Sequence, residues 1–262
     1  MRIMTFNMRA DNVLDIRNRW KKRADIVYSM IEKYNCDIIG IQEATNKMLD
    51  DLSENLPNHR IVGTTRTKKV FAEGNNLIIP TKHKILSHST FWLSKSPEKE
   101  GSTVWYSLFP RICTTAIVKI YHDIPVRIYN THLDCLLPKA RDYGLKIIGE
   151  HIQTYYEKEK LPVILMGDFN ATPNSTIIQN VVNGIYSKKK FIAVQDHNKA
   201  LYEQTTMSMF KGNKTGIHID YIFVSEEFNI ISTEIGDYHK EDKYPSDHYP
   251  IIADVDLNVE ML

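Results

Sequence analysis

Short apolar runs rich in β-branched residues recur along the whole chain, and stretches with helical spacing lie between them. That alternation points to an α/β layered domain. Residues 3–8 read as a first strand, and 37–43 as a second of the near-continuous apolar kind that is buried on both faces. Between them, Trp20, Ala24, Val27, Met30, Ile31 and Tyr34 keep the period of a helix. A second helix is expected over 46–56. The middle is mostly β, with strands over 60–64, 76–79, 84–93, 114–121 and 126–130 and a turn at Asp123-Ile124-Pro125. A helix over 139–156, a strand over 162–166 and a short helix over 175–182 capped by Ser175 follow. Strands return over 219–224, 228–234 and 249–257. So many strands exceed what one open sheet holds comfortably, and two sheets packed on each other are the natural solution. The chain has 262 residues, 42% of them hydrophobic, with no repeat or linker-like stretch, so one domain over 1–262 is expected.

The apolar runs share an ending. Residues 3–6 stop at Asn7 and 38–42 at Glu43; 126–129 stop at Asn130-Thr131-His132, and 163–166 at Gly167-Asp168-Phe169-Asn170. Ligands of α/β proteins bind at the carboxyl ends of strands, where the loops converge. Each residue also has a structural reading. Asn7 suits a turn, Glu43 a helix cap, Asp168 and Asn170 Asx turns, and His132 a satisfied rim position. Gly167, directly before Asp168, suggests close approach of the backbone to a ligand. Asp220 interrupts the apolar run 219–223 and needs a partner if buried, for which His248 in Ser246-Asp247-His248 is the obvious candidate.

These residue types suit phosphate ester hydrolysis. Mg²⁺ prefers carboxylate, amide and water oxygens, which Asn7 and Glu43 supply, whereas the cysteines and paired histidines of a zinc site are missing. Asp168 can align or deprotonate the attacking water. An Asp220–His248 pair can present an oriented imidazole to the phosphate. Asn170 and His132 can donate to non-bridging oxygens as charge builds.

In this order the segments Thr5-Phe6-Asn7, Ile41-Gln42-Glu43, Asn130-Thr131-His132-Leu133, Gly167-Asp168-Phe169-Asn170, Ile219-Asp220-Tyr221 and Ser246-Asp247-His248 resemble the endonuclease/exonuclease/phosphatase superfamily. The resemblance implies a DNase I-like four-layer sandwich, two mixed β-sheets packed face to face with helices outside. It also implies Mg²⁺- or Mn²⁺-dependent hydrolysis. By resemblance, Asn7 and Glu43 hold the metal and Asp168 orients water. Asn170 and His132 contact phosphate, Asp220 supports His248, and Asp247 binds a second metal or supports the first. Arg9-Ala10-Asp11-Asn12, Trp20-Lys21-Lys22-Arg23, Phe91-Trp92-Leu93-Ser94, Arg111-Ile112-Cys113-Thr114 and the continuation to Asp134 resemble a bacterial uncharacterised group near the deadenylases. Arg111 is a candidate phosphate contact, because a guanidinium forks onto two oxygens; a structural ion pair is the competing reading, and Arg141 faces the same choice. Met8 after Asn7 departs from the pattern of abasic-site endonucleases, and His218 stands where an arginine is common.

Partners and location follow from composition. Thirty-three basic residues balance 32 acidic ones for a net charge of +1, so a long nucleic acid would find little to grip. A small phosphate ester or a short nucleic acid is the expected substrate, with a nuclease acting on RNA or DNA as the alternative. A non-catalytic binding protein on the same fold would be expected to lose one of Glu43, Asp168 or His248, and all three are present. Cys36, Cys113 and Cys135 lack metal spacing and read as reduced thiols. No stretch approaches the roughly 20 apolar residues that span a bilayer. A cytoplasmic monomer without membrane contact is expected. The aromatic stretch 91–109 and the segment 200–215 are open as substrate walls.

Overall fold

The computed structural model describes residues 1–69, 72–121, 124–258 and 260. Its first half runs β1 (Arg2–Asn7), α1 (Trp20–Tyr34), β2 (Ile38–Thr45), α2 (Asn46–Asn55), β3 (His59–Val62), β4 (Glu73–Pro80), β5 (Lys84–Trp92) and β6 (Ile112–Tyr121). The second half runs β7 (Ile124–His132), α3 (Pro138–Lys158), β8 (Val163–Asp168), α4 (Thr176–Val182), β9 (Phe191–Ala193), β10 (Asp220–Ser225), β11 (Phe228–Ile235) and β12 (Ile251–Leu257). Two six-stranded sheets result, ordered β11-β12-β1-β2-β4-β3 and β5-β6-β7-β8-β10-β9. Both are mixed. β1 and β2 are parallel, as are β7 and β8, while the other pairings are antiparallel.

Period-2 alternation sets the layers. Ile3, Ile38, Leu77, Val118, Val126, Ile128, Ile164, Met166, Ile222 and Val224 point between the sheets and form the central core. Met4, Phe6, Ile39 and Ile41 face outward against α1 and α2. Tyr129, Leu165, Tyr221 and Phe223 do the same towards α3 and α4. The sandwich is therefore four layers deep, as expected. Each fully buried aliphatic side chain contributes roughly 1.5–3 kcal/mol.

Local chemistry places the ends. α1 stops at Asn35, whose left-handed conformation (φ 46°) lets its N–H reach the Ile31 carbonyl. α3 starts at Pro138, and the two preceding N–H groups, of Leu136 and Leu137, both donate to Asp134 Oδ1. The expected bounds mostly hold to within a few residues. β9 was not anticipated, being three residues long. Ser175 precedes α4 but caps it only through its carbonyl, which accepts from Ile178 and Gln179; its hydroxyl has no partner. Asp123 of the expected turn lies outside the described residues.

Candidate active site

The inward-facing row of four strands changes from apolar to polar at one end of the sandwich. In β1, Ile3 and Thr5 lead to Asn7; in β7, Val126, Ile128 and Asn130 lead to His132. In β8, Ile164 and Met166 lead to Asp168, and in β10, Val224 and Ile222 lead back to Asp220. Pairing then lines them up: His132 lies beside Asp168 on the parallel neighbour, and Asp220 beside Asp168 on the antiparallel one. The candidate site thus continues the inter-sheet core as a polar cap.

β2 needs a device to join in. Regular alternation would send residue 43 outward with Ile39 and Ile41. Instead the β2–β4 register shifts between Ile41 and Ala44, and Glu43 takes a left-handed backbone (φ 62°). The bulge turns its carboxylate towards Asn7, a common use of bulges beside active sites. Asn170 (φ 49°) and Arg9 (φ 55°) are also left-handed, and such non-glycine residues cost roughly 1–3 kcal/mol each.

The side chains converge. Asn7 Nδ2 donates to Glu43 Oε1 (3.1 Å) and to Asp168 Oδ2 (3.0 Å), bridging the two sheets. Glu43 Oε2 accepts from the Ala10 N–H at 2.9 Å. His132 Nε2 stands 3.5 Å and His248 Nε2 4.0 Å from Asp168 Oδ2. His248 Nδ1 is 2.9 Å from Asp220 Oδ2. The Asn170 N–H donates to Asp168 Oδ1 (2.9 Å), and its Nδ2 to the Leu133 carbonyl (3.1 Å). Asp247 Oδ1 lies 3.2 Å from Ser246 Oγ, and its Oδ2 lies 3.6 Å from Arg9 Nη1. Ser246 in turn donates to the Asn7 carbonyl at 2.7 Å, tying the last loop to the first strand.

An open cleft of about 280 Å³ lies above this floor, reached by Glu43, Asp247, Asp168, His132, His248 and Asn170. Asn7 and Asp220 sit just beneath it. Arg111 lines one wall, and its buried Nε has no hydrogen-bond partner among the described residues. Asn7, Glu43, Arg111, His132, Asp168, Asn170, Asp220, Asp247 and His248 therefore meet at one place.

Burial dominates the electrostatics. It pushes the Asp168 carboxyl up to about 7, and the neighbouring Asp220 adds to the shift. Burial opposes a charged His248, but Asp220, Asp168 and Asp247 outweigh it and lift the imidazolium to about 10. His132 goes the other way: burial, then the charges of Arg111, His248 and Arg66, hold it well below its ordinary value. Its contact with Asp168 is that of a neutral imidazole.

A scan against family models matches residues 4–248 to the endonuclease/exonuclease/phosphatase family. The chain belongs to that family. Among solved structures, an endonuclease/exonuclease/phosphatase from Bacteroides vulgatus is 28% identical, with a TM-score of 0.87 over 98% of each chain. The mannosyl-6-phosphatase Bt3783 of Bacteroides thetaiotaomicron is 24% identical, also with a TM-score of 0.87, over 98% of this chain and 100% of its own. An uncharacterised protein of Acanthamoeba polyphaga mimivirus is 24% identical across 89% of this chain and 91% of its own.

Within this family member, some residues have other jobs than the sequence suggested. Gly167 lies tight against a neighbouring strand. A Cβ there would lie 1.9 Å from the Thr131 carbonyl oxygen, so glycine serves the close approach of β7 to β8 (φ +146°). His218 is buried, with its ring nitrogens on Gln195 and the Gln204 carbonyl, and makes no approach to the cleft. Arg141 Nη1 donates to the Asp134 backbone carbonyl, a structural contact other than the expected ion pair, and its buried Nε has no partner among the described residues. Trp92 is packing, its indole N–H on the Arg66 carbonyl, whereas Phe109 and Met207 reach the cleft. A polar layer under the floor was missed: Gln42 Nε2 donates to Asn130 Oδ1 (2.7 Å) and Thr5 Oγ1 (3.0 Å), stitching sheet to sheet. Arg9, Arg66 and Glu73 were also missed as cleft residues; an unmotivated arginine in a loop leaves no pattern in a single sequence.

Proposed function

We propose that the chain is a divalent-metal-dependent hydrolase of phosphate esters, a phosphodiesterase or phosphatase acting on a small molecule or a short nucleic acid. One observation carries this reading. A single carboxylate, Asp168, touches the amide it shares with Glu43, faces two imidazoles, and lies on the floor of a cleft walled by Arg111, whose Nε has no partner among the described residues.

The donor set fits Mg²⁺ or Mn²⁺. Glu43 and Asp247 line the cleft and offer carboxylates, and Asn7 beneath it an amide, all hard oxygen donors. Asn7 turns its Nδ2 to the two carboxylates and its Oδ1 to the Arg9 N–H, so holding a cation through Oδ1 requires the amide to flip. Asp168, Asp220 and His248 also place one ligand atom each within 4.8 Å of the others. That trio is deeply buried at the cleft floor, with His248 Nδ1 committed to Asp220, and suits proton handling better. A bound cation would neutralise charge on the phosphoryl oxygens.

The residues divide the reaction between them. Asp168 aligns the attacking water and takes its proton as the water oxygen bonds to phosphorus. The bond to the leaving oxygen breaks, and that oxygen departs with the electron pair and is protonated in turn. His248, oriented by Asp220, presents a charged N–H to a non-bridging oxygen. Asn170, His132 and Arg111 contact the remaining phosphoryl oxygens, and Arg111 is suited to two at once.

Members of this family are hydrolases acting on phosphate esters. A nuclease acting on RNA or DNA is the second reading, limited to short or locally gripped strands by the net charge of +1. No helix among the described residues is long and apolar enough to cross a membrane. A single domain working as a cytoplasmic monomer completes the proposal. The test is hydrolysis of p-nitrophenyl phosphate and bis(p-nitrophenyl) phosphate with added Mg²⁺ or Mn²⁺. Activity on at least one ester that vanishes in EDTA is expected, and full activity in EDTA would remove the metal from the scheme.

A further inference from the structure

Beside the phosphate floor, the cleft carries a second built feature that this chemistry does not use. Arg66 Nη1 and Glu73 Oε2 pair at 2.9 Å on the wall next to Arg111. The pair is rigidly mounted. The Arg66 N–H donates to the Glu73 carbonyl at 2.9 Å, and the Trp92 indole holds the Arg66 carbonyl from behind. The guanidinium lies over the face of Phe109, 4.8 Å from the ring centre. Both side chains keep some exposure, 14% for Arg66 and 24% for Glu73. The second Glu73 oxygen has no hydrogen-bond partner among the described residues. Burial and the nearby Glu43 both disfavour charge on Glu73, so this site keeps a carboxylate where its surroundings resist one.

Resting on the hydrolase reading above, we infer that Arg66 and Glu73 form a subsite for a hydroxyl-rich leaving group, such as the sugar of a sugar phosphate. A carboxylate oxygen and guanidinium N–H groups side by side match adjacent hydroxyls, one donating and the next accepting. One face of Phe109 is taken by Arg66, which leaves a stacking nucleobase only the other.

The experiment compares hexose phosphates, nucleoside monophosphates and p-nitrophenyl phosphate on wild type, Glu73→Gln and Phe109→Leu, with melting temperatures recorded for each. Glu73→Gln is expected to lower kcat/KM for hexose phosphates through KM. The loss should exceed that on p-nitrophenyl phosphate by roughly tenfold to a hundredfold, the worth of one or two charge-assisted hydrogen bonds. Phe109→Leu should shift the same ratio in the same direction by less, because it loosens Arg66 without removing it. Equal losses on both substrates, or a larger loss on nucleoside monophosphates, would overturn the subsite. So would a wild type that prefers p-nitrophenyl phosphate to every hexose phosphate. A wild type inactive on all phosphate esters would instead overturn the hydrolase reading beneath it. Inhibition by the free hexose, weakened in Glu73→Gln, is the check independent of turnover.

Discussion

Each sheet contains one parallel strand pair bridged by an outer helix, β1-α1-β2 in the first and β7-α3-β8 in the second, and the two pairs load their ends differently. The first ends in Asn7 and Glu43, the second in His132 and Asp168. Asp168 reaches the site by plain alternation, is 2% exposed and faces a second carboxylate across β10. Glu43 reaches it only through a bulge and a left-handed residue, and stays partly open to the cleft. Under the proposed function, the deeply buried carboxylate would handle the proton and the more open one would hold the cation, so one architecture would supply two chemistries by changing how deep the second acid sits.

The largest effect expected from breaking this division is on turnover. Asp168→Asn keeps the shape and removes the base, so hydrolysis should fall about a hundred- to ten-thousandfold. Stability should move the other way. The folded-state carboxyl is raised to about 7, so above that pH the folded protein carries a charge that its surroundings penalise. At pH 8 without metal, the Asp168→Asn variant should therefore melt at or above the wild-type temperature. A melt several degrees lower would return Asp168 to a structural role.

A smaller effect separates the two acids. Glu43→Gln should raise the Mg²⁺ concentration for half-maximal rate by about tenfold to a hundredfold, with much of the rate recovered at high metal. Asp168→Asn should leave that concentration within a few-fold. Metal titrations of the initial rate, or of the melting temperature, read the difference. Equal shifts in both variants would erase the distinction between an open and a deeply buried side.

Much of this was legible in the sequence, for a physical reason. Strands buried on both faces read as apolar runs, and the residues that end them lie at one edge because parallel crossovers force a common direction. Asn7, His132 and Asp168 follow from that rule and from alternation; Asp220 opens an antiparallel strand and follows from alternation alone. The aim of Glu43 did not, since a bulge inserts a residue without leaving a composition signal. Gly167 was legible as a close approach but not as to what: Thr131 on a neighbouring strand, brought near by the fold. The Arg66–Glu73 pair joins residues on either side of a loop, and their contact exists only once β3 and β4 have paired.

The smallest effect tests the deeply buried side directly, through pH. His248 has its folded value raised to about 10 by its carboxylates, above the ordinary 6.5. The stability it contributes is complete below about pH 6.5 and is lost as pH rises through the folded value near 10. Wild type without metal should therefore lose melting temperature steadily across that window. Replacing both partners, Asp220→Asn with His248→Gln, leaves neutral hydrogen-bonding groups and should flatten the slope by a few degrees over the window, whatever its effect on the absolute melt. Glu43→Gln, on the open side, should leave the slope as it is. If the double variant keeps the wild-type slope, the buried proton does not reside on His248, and the division between the two strand pairs loses its electrostatic half.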